Sequence, residues 1–141
     1  MSFVLDNSVV MRWYFGDGSK KDLQYAARVL DGMKSTKALV PGVWGLEVAN
    51  VIARAEAKGI TTEARSESFV GMLNRMDIRT DAATATQALA GTLQLARRHD
   101  LSSYDASYLE LAMREGLPLA TLDEGLLRAV GRVGAKQFQG G

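Results

Sequence analysis

Phe3-Val4-Leu5-Asp6 is an apolar run that ends in a carboxylate, and Leu119-Ala120-Thr121-Leu122-Asp123 repeats that pattern near the other end of the chain. Short apolar runs separated by longer segments with helical spacing are typical of strands in a parallel sheet. The carboxyl ends of such strands lie at one edge of the sheet, where ligands bind in folds of this class. We therefore expect Asp6 and Asp123 to lie at that edge.

The residues between these two runs predict the remaining elements of an α/β fold. Apolar residues at helical spacing predict helices over residues 8–15, 20–34, 43–58, 62–76, 82–99, 103–115 and 124–131. Short apolar runs predict further strands at 38–40, 77–79 and 135–138. Ser19 and either Ser102 or Ser103 are expected N-caps, and Gly59 is expected to end a helix. The helix over 82–99 is expected to bury Ala85, Leu89, Leu93 and Ala96.

Length and composition favour one globular domain. The chain has 141 residues, 47% hydrophobic and 23% charged, with a net charge of +1. We expect a single domain over residues 1–138 and a flexible tail over 139–141. Cysteine is absent, which excludes thiolate metal sites and a catalytic cysteine. No segment is apolar enough to span a membrane and the N-terminus lacks a signal-peptide pattern, so we expect a cytoplasmic protein.

Three acidic residues have both a structural and a chemical interpretation. Asp6 and Asp123 each precede a predicted helix and could be N-caps. The spacing of Ser102 and Asp105 fits a capping box. Taken singly, each cap is as plausible as a functional role.

Glu47 is harder to explain structurally, because it lies inside a predicted helix between Val43 and Val51. A carboxylate on an apolar face is costly unless it is paired or binds a metal. Arg54 is the alternative partner. A single site for a divalent cation would explain Asp6, Glu47, Asp105 and Asp123 together, since clustered like charges favour a cation and oxygen donors suit Mg²⁺ or Mn²⁺.

Four segments occur in order along nearly the whole chain: Phe3-Val4-Leu5-Asp6-Asn7-Ser8, Pro41-Gly42-Val43-Trp44-Gly45-Leu46-Glu47-Val48-Ala49-Asn50, Leu101-Ser102-Ser103-Tyr104-Asp105-Ala106-Ser107-Tyr108-Leu109-Glu110-Leu111-Ala112 and Leu119-Ala120-Thr121-Leu122-Asp123. Each segment alone is weak, and the ordered set is fairly specific. In order and spacing they resemble the PIN-domain family of ribonucleases, particularly its small prokaryotic VapC-type toxins.

The resemblance implies a fold and a metal site. The fold would be a PIN-like three-layer α/β/α sandwich with a central, mostly parallel sheet of four or five strands. The catalytic and metal-binding acids would be Asp6, Glu47, Asp105 and Asp123, holding Mg²⁺, with Mn²⁺ able to substitute, largely through waters. Residues that support these acids or contact phosphate would be Ser8, Asn50 and Thr121. Candidate RNA contacts are Arg12, Arg97, Arg98 and Arg128.

The implied function is a Mg²⁺/Mn²⁺-dependent endoribonuclease that hydrolyses RNA phosphodiester bonds, as the toxin of a type II toxin–antitoxin pair. The expected partners are the RNA substrate, a protein antitoxin and a second copy of the chain in a homodimer. A dimer seam or an antitoxin groove could use part of an apolar surface on two helices, for which core packing is the alternative: Val48, Ile52, Phe69, Met72 and Met76.

Three other functions remain open from the sequence. One is a catalytically silent nucleic-acid- or protein-binding module on the same fold. Another is a metal-dependent phosphohydrolase that acts on DNA or small phosphoesters. A phosphoacceptor signalling domain is disfavoured, because Asn7 rather than a second acid follows Asp6 and Glu47 lies in a helix.

Overall fold

The computed structural model describes residues 1–140, in which four parallel strands form the central sheet. They are β1 (Ser2–Leu5), β2 (Lys37–Val40), β3 (Ile78–Thr80) and β4 (Leu119–Ala120), in the spatial order β3-β2-β1-β4. The chain runs outwards from β1 to β3 and then returns to the other side of β1. The topological switch point therefore lies between β1 and β4.

The predicted mostly parallel sheet is confirmed, and its register sets the position of the first acid. Leu5 of β1 lies opposite Ala120 of β4, and the Asp6 amide donates to the Ala120 carbonyl at 2.9 Å. Asp6 and the loop after β4 thus leave the same edge of the sheet. The strand predicted at 135–138 is reduced to one bridge between Leu119 and Gln137.

Eight α-helices surround the sheet: α1 (Asn7–Phe15), α2 (Lys20–Gly32), α3 (Trp44–Ala57), α4 (Glu63–Asn74), α5 (Thr84–Gln87), α6 (Leu93–His99), α7 (Ser103–Glu115) and α8 (Glu124–Arg132). Ser19 accepts from the Asp22 amide, and Ser102 accepts from the Asp105 amide. Gly59 follows α3 with a φ of 74°. The predicted N-caps Ser19 and Ser102 and the predicted helix end at Gly59 are therefore confirmed.

Alternation along β1 separates two apolar clusters, one on each face of the sheet. Phe3 and Leu5 belong to a cluster with residues of α1 to α4. Val4, between them, packs with residues of α7 and α8. This arrangement confirms the three-layer α/β/α sandwich, because successive strand residues point to opposite faces.

The predicted continuous helix over residues 82–99 is wrong. α5 and α6 are separated by a kink within Ala88–Thr92, where Ala90 has a non-helical backbone with φ −116° and ψ −108°. Leu89, predicted to be buried, is 87% exposed, and Ala85 is exposed as well. Five of residues 82–90 are alanine. The segment therefore has few large apolar side chains to fix which face of the helix is buried. The segment packs against α7 at Gly91, where an added Cβ would lie 3.7 Å from Glu110 Cγ.

The apolar surface on α3 and α4 packs largely into the core. Val48, Ile52 and Phe69 are buried, and Met72 and Met76 are partly buried against the same cluster. Core packing therefore accounts for these five side chains, and their use as a dimer seam or antitoxin groove stays a prediction. Within residues 1–140 there is no helix with the length and apolarity needed to cross a membrane. Of the predicted tail over 139–141, Gly141 lies outside the described residues.

Candidate metal centre

Asp6 lies at the carboxyl end of β1 and is only 4% exposed. Its Oδ2 accepts hydrogen bonds from Ser8 Oγ at 2.6 Å and Thr121 Oγ1 at 2.7 Å. Asp6 occupies the predicted N-cap position of α1, but its side chain accepts no capping hydrogen bond from that helix, so a side-chain cap does not explain the carboxylate. Burial raises the pKa of Asp6 to about 6, the two hydroxyl donors oppose that rise, and the charges of Glu47 and Asp123 add to it.

Glu47 lies in the first turn of α3 and is held by a tyrosine from the opposite helical layer. Tyr108 Oη donates to Glu47 Oε1 at 2.6 Å, and Tyr108 itself is fully buried in α7. Burial raises the pKa of Glu47, the tyrosine hydrogen bond opposes this, and the charge of Asp105 adds to the rise. Arg54 does not occur among the salt bridges of residues 1–140, so it is not the partner of Glu47.

Asp105 and Asp123 occupy the first turn of α7 and the N-cap of α8. The Asp105 amide donates to Ser102 Oγ at 3.0 Å, as one half of a capping box does. Burial raises the pKa of Asp105 to about 6, and the charges of Asp123 and Asp6 add to this effect. Asp123 Oδ2 accepts from the Leu126 amide at 2.9 Å, so its cap interpretation is confirmed.

The four carboxylates influence one another across the edge of the sheet. The charges of Glu47 and Asp123 raise the pKa of Asp6, and the charges of Asp123 and Asp6 raise the pKa of Asp105. The charge of Asp105 raises the pKa of Glu47. Nowhere in residues 1–140 do three or more acidic, histidine or cysteine side chains converge closely enough to hold a metal ion directly. The donor set is made of hard oxygen ligands with mutual repulsion. It fits Mg²⁺, which usually keeps several of its waters and takes few protein ligands.

Residues 3–132 match the PIN domain family. The chain belongs to the PIN-domain family. Proteins of this family are generally nucleases that bind divalent metal ions. The fold is also similar to the crystal structure of PAE2754 from Pyrobaculum aerophilum, with 22% sequence identity and a TM-score of 0.63 over 92% of this chain and 87% of that chain. No curated protein matches the sequence.

Two hydroxyl side chains connect the strand ends of this PIN domain. Besides donating to Asp6, Ser8 Oγ accepts from the Leu122 amide at 3.0 Å, and Thr121 Oγ1 accepts from the Asp123 amide at 3.0 Å. The loops after β1 and β4 are thereby joined at Asp6. Asn50, by contrast, is exposed on α3 and lines a cleft that also includes Ser8.

Tyr108 is a site residue of the PIN domain that sequence reasoning missed. It lies three residues after Asp105, on the same side of α7, and is flanked by Ser107 and Leu109. Its large polar side chain in that setting was the available signal. The identity of its partner, Glu47, depends on the packing of α7 near α3 and is not visible in the spacing.

The predicted RNA-contacting arginines of the PIN domain lie in different places. Arg12 lines the cleft that includes Ser8. Arg128 is exposed on α8 and lies near Asp123. Both side chains approach Gly125: a Cβ added to that glycine would lie 3.9 Å from Arg128 Nη2 and 3.2 Å from Asp123 Oδ2. Arg97 and Arg98 are exposed in the last turn of α6, where Arg98 lines a separate depression with Glu110 and Arg114.

Proposed function

We propose that this PIN domain is a Mg²⁺- or Mn²⁺-dependent endoribonuclease that hydrolyses RNA phosphodiester bonds. Its catalytic and metal-binding residues would be Asp6, Glu47, Asp105 and Asp123. The main support is the grouping of four carboxylates, each from a different part of the chain, at the switch point of the sheet. Their burial and mutual repulsion raise the pKa of Asp6 and of Asp105 to about 6. Such an arrangement costs stability unless a cation offsets it.

The chain's own contacts prepare these side chains for a hydrated ion. Asp6 Oδ2 is held by two hydroxyl donors, which fixes the carboxylate and leaves Oδ1 for the site. Tyr108 fixes Glu47 in the same way through Oε1. Asp123 uses Oδ2 for the helix amide, so Oδ1 can face the site. A bound divalent ion would offset the negative charge, activate water and polarise the phosphate.

We also propose that the protein is the toxin of a type II toxin–antitoxin pair, acting as a homodimer and inhibited by a protein antitoxin. The support is the ordered set of four VapC-like segments over residues 3–123. Expression of the chain alone in a bacterial host should arrest growth, whereas expression of the Asp6→Asn variant should not. Normal growth with the active enzyme, or a monomeric mass in solution, would contradict the corresponding part of this proposal.

The nuclease proposal is tested by cleavage of defined single-stranded RNAs with Mg²⁺ or Mn²⁺ and with a chelator. We expect cleavage only with the metal, and a loss of orders of magnitude in Asp6→Asn. Asp31→Asn is the matched control, because Asp31 is an exposed carboxylate of α2 that forms a salt bridge with Lys34. Cleavage that survives chelation or persists in Asp6→Asn would refute the assignment. Metal-dependent hydrolysis of DNA or small phosphoesters without RNA cleavage would favour a different substrate.

A further inference from the structure

A cleft with a volume of about 620 Å³ opens next to the candidate metal centre, between α1, α3 and the start of α4. Ser8 and Asn50 belong to its lining, and the same Ser8 hydroxyl donates to Asp6 at 2.6 Å. Sites for small ligands have volumes of roughly 300–1,000 Å³. The cleft therefore adjoins the acidic edge at Ser8 and is large enough for part of an extended ligand.

The lining of this cleft is strongly basic, and we call it the basic cleft. It contains one carboxylate, Asp17, and four cations: Arg12, Arg54, Lys58 and Arg65. Arg12 pairs with Asp17 at 3.1 Å, yet its buried Nε has no hydrogen-bond partner within residues 1–140. The other three cations take no part in the salt bridges of the described chain. Such a site favours an anion.

Apolar side chains lie among these cations. Met11, Phe15, Val51 and Ile60 line the same cleft, and Ile60 is 62% exposed. Alternation of cationic and apolar or aromatic groups is how proteins bind single-stranded nucleic acid, since phosphates meet the cations and unpaired bases meet the apolar faces. A duplex keeps its base faces stacked inside and cannot use such a lining.

We propose that the basic cleft binds single-stranded nucleic acid next to the phosphodiester that lies at the acidic edge. Arg12, Arg54, Lys58 and Arg65 hold backbone phosphates, and the apolar lining contacts one or two bases. This inference rests on the proposed nuclease function for the position of the reacting phosphate. An acidic protein segment fits less well, because its carboxylates would continue into four carboxylates of the protein.

The test compares two triple variants of the full chain that lose the same charge. Arg54→Ala/Lys58→Ala/Arg65→Ala removes cations of the basic cleft. The control, Lys34→Ala/Arg79→Ala/Lys136→Ala, removes exposed cations near Met1 at the opposite end of the sheet. Binding of a short labelled oligouridylate is measured by fluorescence polarisation in chelator over a series of salt concentrations. Circular dichroism and thermal melting verify that both variants are folded.

We expect the cleft variant to bind about tenfold or more weakly, and its plot of log affinity against log salt to be shallower by about 2, since each lost contact with a single strand removes about 0.7. The control should match the wild type. Equal losses in both variants, equal binding of a duplex, or stronger binding of polyglutamate would overturn the inference. Failure of the nuclease proposal is separate, because it appears as absent cleavage by a protein that still binds RNA through the cleft.

Discussion

Replacement of Asp6 by asparagine should stabilise the protein at neutral pH while it abolishes activity. Asp6 is 4% exposed, and its pKa is raised from 3.8 to about 6, chiefly by burial. The folded state therefore holds this proton more tightly than the unfolded state does. The contribution of Asp6 to stability is therefore most favourable at low pH and becomes less favourable as the pH rises from about 4 to about 6, above which the whole cost of the buried charge is present.

The size of this effect follows from the two pKa values. The difference between 3.8 and about 6 corresponds to ~3 kcal/mol at pH 8, and to less than ~1 kcal/mol at pH 4. Asparagine can accept from Ser8 and Thr121 as the carboxylate does, so the substitution removes the charge and keeps the hydrogen bonds. For a chain of this size the stabilisation raises the Tm by roughly 10 °C at pH 8.

The measurement is urea denaturation of wild type and Asp6→Asn in chelator at pH 4 and pH 8. The variant should have the larger free energy of unfolding at pH 8, and the two proteins should converge at pH 4. Added Mg²⁺ should stabilise the wild type more than the variant, because ligand binding to the folded state adds stability. A variant that is no more stable at pH 8, or a difference that does not depend on pH, would show that Asp6 is not strained by its surroundings.

Three other substitutions test separate contacts. Tyr108→Phe removes the donor to Glu47 and should lower kcat in the RNA assay with little change in KM, at a cost in unfolding free energy of about 1–3 kcal/mol; unchanged kcat would exclude a positioning role. Asp123→Ala should lose about 1 kcal/mol more stability than Asp123→Asn in denaturant, since only alanine removes the cap to the Leu126 amide, and equal stabilities would contradict this. Gly116→Ala should destabilise by roughly 1 kcal/mol, because Gly116 ends α7 at φ 64°; an unchanged denaturation midpoint would contradict it.

Local signals in the sequence predicted the elements that form the acidic edge. The apolar run before Asp6 predicted a strand there, and β1 is observed at Ser2–Leu5. Ser19 and Ser102 were identified as caps because a cap depends on a hydrogen bond between residues three apart. These interactions are determined by neighbouring residues, so a single sequence is sufficient to predict them.

Contacts between residues far apart in the sequence could not be predicted from the sequence in the same way. Glu47 and Tyr108 are 61 residues apart, and their hydrogen bond depends on how two helical layers face each other. Arg54 was considered as the partner of Glu47, whereas the fold places it in the basic cleft with Arg12. The break at Ala90 was missed because an alanine-rich segment fits a helix locally and only its packing against α7 departs from that pattern.

For Asp123 the cap interpretation and the proposed metal role are compatible, because the topology places both at one edge of the sheet. In a parallel sheet each strand is followed by a helix that begins at the same edge, so helix N-termini and ligand sites share that edge. Here α1, α7 and α8 begin beside Asp6, Asp105 and Asp123. The exposed amides and dipoles of these helix ends favour negative charge. Asp123 Oδ2 accepts from the Leu126 amide and so caps α8. Under the proposed function Oδ1 would face the cation and the cap would orient the carboxylate, so loss of the cap should also weaken metal binding.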